Sequence, residues 1–131
     1  MRLAAVGDLH YTRSSQAAFQ PVLRQITDVA DVLLLCGDLT DNGQPDEARA
    51  LARELTQDVK IPIVAVLGNH DFESGHEDEI RALLVEVGIK VLDGETCEIH
   101  DVGFAGVKGF AGGFGRGTLR PWGEGVLKAF V

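Results

Sequence analysis

Short continuous apolar runs alternate along this chain with segments whose apolar residues recur at helical spacing. Leu3 to Val6, Val32 to Cys36 and Ile61 to Leu67 are rich in valine, isoleucine and leucine without polar alternation. That is the pattern of strands covered on both faces, and it predicts central parallel strands. Between the first two, Phe19, Val22, Leu23, Ile26 and Val29 fall on one helical face, and Pro21 sets the start of the regular helix near itself. Between the second and third, Pro45 suits a first helical position, Asp46 and Glu47 suit the positive end of the helix dipole, and Ala48, Leu51, Ala52 and Leu55 form the buried stripe. A third helix is predicted from Glu77 to Val87, with Ile80, Leu83, Leu84 and Val87 on one face and Gly88 ending it.

Ile89 to Leu92 reads as a further strand, and Asp93-Gly94 as a turn. Glu95 to His100 and Phe104 to Val107, on either side of Asp101-Val102-Gly103, predict a hairpin that extends the sheet. The order β, α, β, α, β, α, β places the chain in the α/β class, with a mixed, mostly parallel sheet and flanking helices. From Gly103 the character changes, since nine of the 16 glycines and four of the six phenylalanines fall in the last 29 residues. One domain is therefore expected over 1–131, with an α/β core at 1–108 and a Gly/Phe-rich segment at 109–131 that contacts a partner or begins a further part.

Composition adds constraints. A chain of 131 residues with 45% hydrophobic content can bury a sizeable core. Its formal charge of -8 and the lack of any lysine or arginine run argue against binding a nucleic-acid backbone, and Gly112 to Gly117 carries only Arg116. An acidic chain that handles phosphate needs cations, and two divalent ions would offset half of that charge. The N-terminal apolar run ends at Asp8, too short for a secretory leader, and no run reaches the length of a membrane span. Cys36 and Cys97 have no CxxC spacing and read as reduced core thiols, which together with the missing leader predicts a cytoplasmic protein.

Three polar clusters stand at the ends of the apolar runs, about thirty residues apart, the length of one strand-helix-strand unit: Gly7-Asp8-Leu9-His10, Gly37-Asp38-Leu39-Thr40-Asp41 and Gly68-Asn69-His70-Asp71. Ligands of open α/β sheets bind beyond the carboxyl ends of the strands, so topology brings the clusters together. Asp8 and His10 can face one side of an extended strand end and chelate one ion. Asp38 can bridge two ions through its two oxygens, and Asn69 can hold the second through a neutral amide oxygen. This donor set favours Mn, Fe, Zn or Co. Two such ions would clamp a phosphoryl group and provide hydroxide near neutral pH. His70, oriented by Asp71, would stabilise charge or protonate the leaving oxygen. Thr40 and Asp41 read as a turn pair, Thr12 to Ser14 as a solvated loop, His76 as a solvated helix start and His100 as an edge histidine.

GDLH, GDLTD and GNHD, in this order and spacing, resemble the N-terminal motifs of the calcineurin-like metallophosphoesterases over roughly Met1 to Val107. The resemblance implies an αββα sandwich of two mixed sheets, of which this chain corresponds to the N-terminal half. It also implies a dinuclear centre with Asp8, His10 and Asp38 on the first ion, Asp38 and Asn69 on the second, and His70 with Asp71 as catalytic pair. The further histidine ligands that such enzymes carry in a C-terminal half, including a Gly-His-x-His motif, have no counterpart here, so the second site is incomplete. The function expected is hydrolysis of a phosphate monoester or diester by metal-activated hydroxide. The alternative is a non-catalytic metal- or phosphate-binding module that forms homo-oligomers through Phe104, Phe110, Phe114, Trp122 and Phe130.

Overall fold

The computed structural model describes residues 1–15 and 17–108. Its order is β1 (Leu3–Val6), α1 (Gln20–Val29), β2 (Val32–Cys36), α2 (Pro45–Asp58), β3 (Ile63–Val66), a 3-10 turn (His70–Phe72), α3 (Glu77–Glu86), β4 (Lys90–Val91), β5 (Glu95–Ile99) and β6 (Val102–Gly106). The first four strands form one parallel sheet in the order β1-β2-β3-β4. Leu34 of β2 stands beside Ala5 of β1 and Val64 of β3, so all three strands end at nearly the same level. Successive right-handed crossovers in one direction put the helices on one face of the sheet.

The period-2 alternation of strand side chains divides the core. Leu33, Leu35, Ile63 and Ala65 face the helices, where they meet Leu23 and Ile26 of α1, Leu51 and Leu55 of α2, and Ile80 and Leu84 of α3. Val32 and Val64 face the opposite side and pack with Leu92 and Ile99, backed by Leu34, Cys97 and Phe104. The β5-β6 hairpin therefore lies over the second face of the sheet as a separate antiparallel pair, and does not extend the sheet. Its inward residues explain this: Cys97 and Ile99 alternate with polar Thr96 and Glu98, so the ribbon has one apolar face to bury, which edge-on pairing with β4 would leave in water.

The turn also differs from expectation. Ile99 pairs with Val102, leaving His100 and Asp101 as a two-residue loop, both with positive φ as a type I′ turn requires. His100 is thus an exposed turn residue. Cys36 shares the face of Val32 and Leu34 but lies beyond the hairpin's cover; it is exposed, while Cys97 is half-buried, and both are free thiols. The reading of Cys36 as a core thiol is corrected accordingly. Phe104 packs within its own hairpin cluster, whereas Phe110, Phe114, Trp122, Phe130 and the rest of 109–131 lie outside the described residues. No helix among the described residues is long and apolar enough to cross a membrane.

The starts of β1 and β2 are tied together at the sheet end away from the clusters. Arg2 donates its backbone N–H to Asp31 Oδ2 at 2.6 Å and its guanidinium to Oδ1 at 3.0 Å. These bonds hold the Asp31 carboxyl down to about 2. A depressed folded value means that the contribution to stability is present above the ordinary carboxylate value of 3.8 and is lost as pH falls through about 2. A carboxyl-carbon NMR titration should show Asp31 with a midpoint near 2, returning toward 3.8 in Arg2→Ala.

Candidate metal centre

The three polar clusters meet at the carboxyl end of the parallel sheet because β1 and β2 stay paired past their regular ends. The N–H of Asp8 donates to Gly37 O at 3.1 Å, that of His10 to Asp38 O at 3.0 Å and that of Tyr11 to Leu39 O at 2.9 Å. Asp8, His10 and Asp38 all have left-handed backbone, with φ of 54°, 43° and 48°. Side chains other than glycine rarely adopt that region, although aspartate and histidine tolerate it best. Three such residues within two adjacent loops indicate a conformation imposed by the surroundings, of the kind found at functional sites.

Donor atoms of His10, Asp38 and His70 all lie within 4.8 Å of one another. His10 Nε2 is 3.9 Å from Asp38 Oδ2. Asp38 Oδ1 accepts the backbone N–H of His70 at 3.0 Å, which fixes the carboxylate and leaves its other oxygen toward His10. The two imidazole rings meet edge to face with centroids 4.4 Å apart. An imidazole nitrogen of His10 and a carboxylate oxygen of Asp38 this close, without a thiolate, suit a first-row divalent ion, so these two residues fit the metal that the motifs imply, with the His70 imidazole within reach of the same point.

Asp8 stands at the same sheet end with its side chain exposed and outside this group of three. Asn69 is half-buried and opens the 3-10 turn that carries His70. Asp71 has a different task from the one expected for it. Its wholly buried carboxylate accepts from Thr40 N–H at 2.8 Å and Thr40 Oγ1 at 2.6 Å on one oxygen, and from Leu39 N–H at 3.2 Å and Gly68 N–H at 2.8 Å on the other. Four donors occupy the acceptor capacity of the two oxygens, so Asp71 joins the second cluster to the third instead of orienting the imidazole. Burial raises its pKa against these four bonds, which act in the other direction.

The ring of His70 is held by Asp41, a residue that the motif reading left as part of a turn. His70 Nδ1 lies 2.6 Å from the Asp41 carbonyl oxygen. A carbonyl only accepts, so Nδ1 is the protonated nitrogen and Nε2 is left for a ligand or substrate. The Asp41 carboxylate reaches the other imidazole, with Oδ1 3.4 Å from His10 Nδ1. The signal in the sequence was a second carboxylate three residues after Asp38 in the same strand-end loop. Burial lowers the His70 pKa, but the Asp41 carbonyl and the charges of Asp38, Glu73 and Asp41 together outweigh it, and the net shift is upward.

The loop after His10 closes on itself, since Ser15 Oγ accepts the N–H of Thr12 at 2.9 Å and the N–H of Ser14 donates to Thr12 Oγ1 at 3.3 Å. Arg13 is mostly exposed and lies 3.7 Å from Asp46. His76 stands exposed at the residue before α3, its side chain not bonded to the helix, with Nδ1 2.9 Å from Ser74 Oγ.

A four-stranded parallel sheet whose first three strand ends bring a carboxylate and two imidazoles to one point is an α/β scaffold with a candidate metal centre. Residues 1–122 match the calcineurin-like phosphoesterase family, and the chain belongs to that family. A CTP synthase of Methanoculleus marisnigri is 38% identical over 110 residues, 77% of this chain and 19% of that protein. An uncharacterized protein of Methanocaldococcus jannaschii is 28% identical over 109 residues, 83% of this chain and 44% of that protein. A probable cyclic nucleotide phosphodiesterase of Rhodococcus erythropolis is 28% identical over 106 residues, 76% of this chain and 33% of that protein. The chain thus spans less than half the length of each of these relatives.

Proposed function

We propose that this chain carries the first metal platform of a metal-dependent phosphoesterase acting on a phosphate monoester or diester. The observation that carries the reading is the convergence of His10, Asp38 and His70 within 4.8 Å at the end of three successive parallel strands. Asp8, His10 and Asp38 would hold one divalent ion, Asp38 and Asn69 a second, with manganese as the first metal to try. Bound divalent ions of this kind screen phosphoryl charge and lower the pKa of water.

The chain's own contribution is position and protonation. Asp38 is held by the His70 amide, so one of its oxygens stays directed at His10. The Asp41 carbonyl fixes the His70 tautomer, and an imidazole of raised pKa can carry a second proton at Nε2 and deliver it to a leaving oxygen. The similarity to a probable cyclic nucleotide phosphodiesterase supports testing diesters first. A cytoplasmic setting accords with the two free cysteines.

Bis(p-nitrophenyl) phosphate with added manganese tests the reading. Wild type is expected to hydrolyse it, and His70→Ala to lose about 100-fold or more in kcat while binding manganese within a few-fold of wild type, the range typical for removal of a general acid. If His70→Ala lost metal affinity in step with rate, His70 would be a ligand and the acid assignment would fall. No hydrolysis by manganese-loaded wild type of this diester or of the monoester p-nitrophenyl phosphate would contradict the phosphoesterase reading for this chain.

A further inference from the structure

We propose that Glu54, on α2, is a positioning residue for the strand-end site and acts through Tyr11. The inference rests on the metal-centre reading above. Tyr11 directly follows His10 and is wholly buried, its ring tilted against Phe19 with centroids 6.0 Å apart. Its backbone links two of the three clusters: its N–H donates to Leu39 O at 2.9 Å, and its carbonyl accepts the N–H of Asp41 at 3.1 Å. Its hydroxyl donates to Glu54 Oε2. Through Glu54, in its second half, α2 is therefore fastened to the residue between His10 and the Asp41 loop.

Glu54 is an unusual residue for an apolar layer. It is 4% exposed, and its second oxygen, Oε1, has no hydrogen-bond partner among the described residues. A carboxylate buried with one donor is costly, and a phenylalanine in place of Tyr11 against a leucine in place of Glu54 would fill the same space without that cost. What the pair adds over an apolar contact is direction. The tyrosine tip can occupy only one place, so the chain entering from His10, whose φ is 43°, has its path fixed from below. The Tyr11 pKa is raised, by burial first and by the Glu54 bond next, which keeps the hydroxyl a donor.

The test compares the full chain carrying Tyr11→Phe/Glu54→Leu, Glu54→Gln and Leu84→Ala in manganese titration calorimetry. The double variant removes both polar partners together, so no buried charge is left to unfold the protein. Its affinity for manganese should fall about tenfold, in the range found when groups that orient metal ligands are removed. Glu54→Gln, whose amide oxygen still accepts from Tyr11, should stay within about twofold of wild type. Leu84→Ala, in the α3 core, costs stability but should leave affinity unchanged. Equal affinity in the double variant, or an equal loss in Leu84→Ala, would overturn the inference. If wild type bound no manganese, the metal-centre reading would fall. The inference would then be decided by backbone NMR: shifted His10 and Asp38 amide signals in the double variant but not in Leu84→Ala support it, and unshifted signals overturn it.

Discussion

Gly68→Ala is expected to abolish the site while leaving the rest of the sheet formed. A Cβ on Gly68 would stand 2.1 Å from Asp38 Oδ1 and 2.3 Å from the Asp38 backbone nitrogen. Real Cβ atoms do not approach so closely, and the nitrogen cannot rotate away as a flexible side chain could. Either the third cluster moves off the second or Asp38 leaves its left-handed conformation. Both outcomes break the His70 N–H to Asp38 Oδ1 bond that holds the carboxylate in place. Overpacking of this severity costs about 3 kcal/mol or more. Manganese affinity should drop by at least 100-fold, whereas alanine at Gly94, where nothing lies within 4 Å but φ is 79°, should change stability alone. Calorimetric metal titration beside urea unfolding separates the two.

The largest loss of stability from a single polar residue is expected at Asp71. Removing its carboxylate with Asp71→Ala strands three backbone N–H groups and the Thr40 hydroxyl, those of Leu39 and Thr40 wholly buried. Unsatisfied buried donors cost about 1–3 kcal/mol each when nothing replaces the acceptor, and partial relaxation brings a realistic total to about 4 kcal/mol. That is a large share of the roughly 5–15 kcal/mol that holds a domain of this size together. Asp71→Asn should recover only part of the loss, because one side-chain oxygen becomes an NH2 facing two of the donors. Urea denaturation should show a lower midpoint with an unchanged slope. A variant as stable as wild type would remove Asp71 from its place as the link between the clusters.

What the sequence made legible was whatever depends on local pattern. The strands covered on both faces announce themselves as unbroken apolar runs, and Pro45 opens α2 at the residue where the proline is tolerated. Gly88, with φ of 90°, stops α3 where it was expected to. The boundaries that differ have physical causes. The run Ile61 to Leu67 yields a strand only over Ile63–Val66, since Pro62 has no N–H to donate to the ladder although its carbonyl accepts from Leu33. The hairpin was recognisable as a hairpin, but its placement over the second face depended on which side of β2 and β3 remained to be covered, a tertiary matter.

The site shows the same division. His10, Asp38 and His70, which the structure brings together, could be picked out because strand-end clusters at repeated spacing must converge in an open α/β sheet. Which polar group serves which neighbour could not be read from adjacency. Asp71 follows His70 in the chain, yet on a 3-10 turn consecutive side chains point apart. The neighbour that holds the imidazole is the carbonyl of Asp41, 29 residues earlier, and a backbone acceptor leaves no mark in residue identities. The pairing of Tyr11 with Glu54, 43 residues apart, leaves no mark in the local pattern either.

The central claim is that three strand ends hold a divalent cation through Asp38. The most direct measurement is calorimetric titration of manganese into the metal-free chain, with wild type and Asp38→Asn side by side at neutral pH. The account predicts at least one ion bound per wild-type chain and an affinity reduced by at least tenfold in Asp38→Asn, whose fold, followed by circular dichroism, stays intact. Equal affinity in the two proteins, or no binding by wild type, would contradict it.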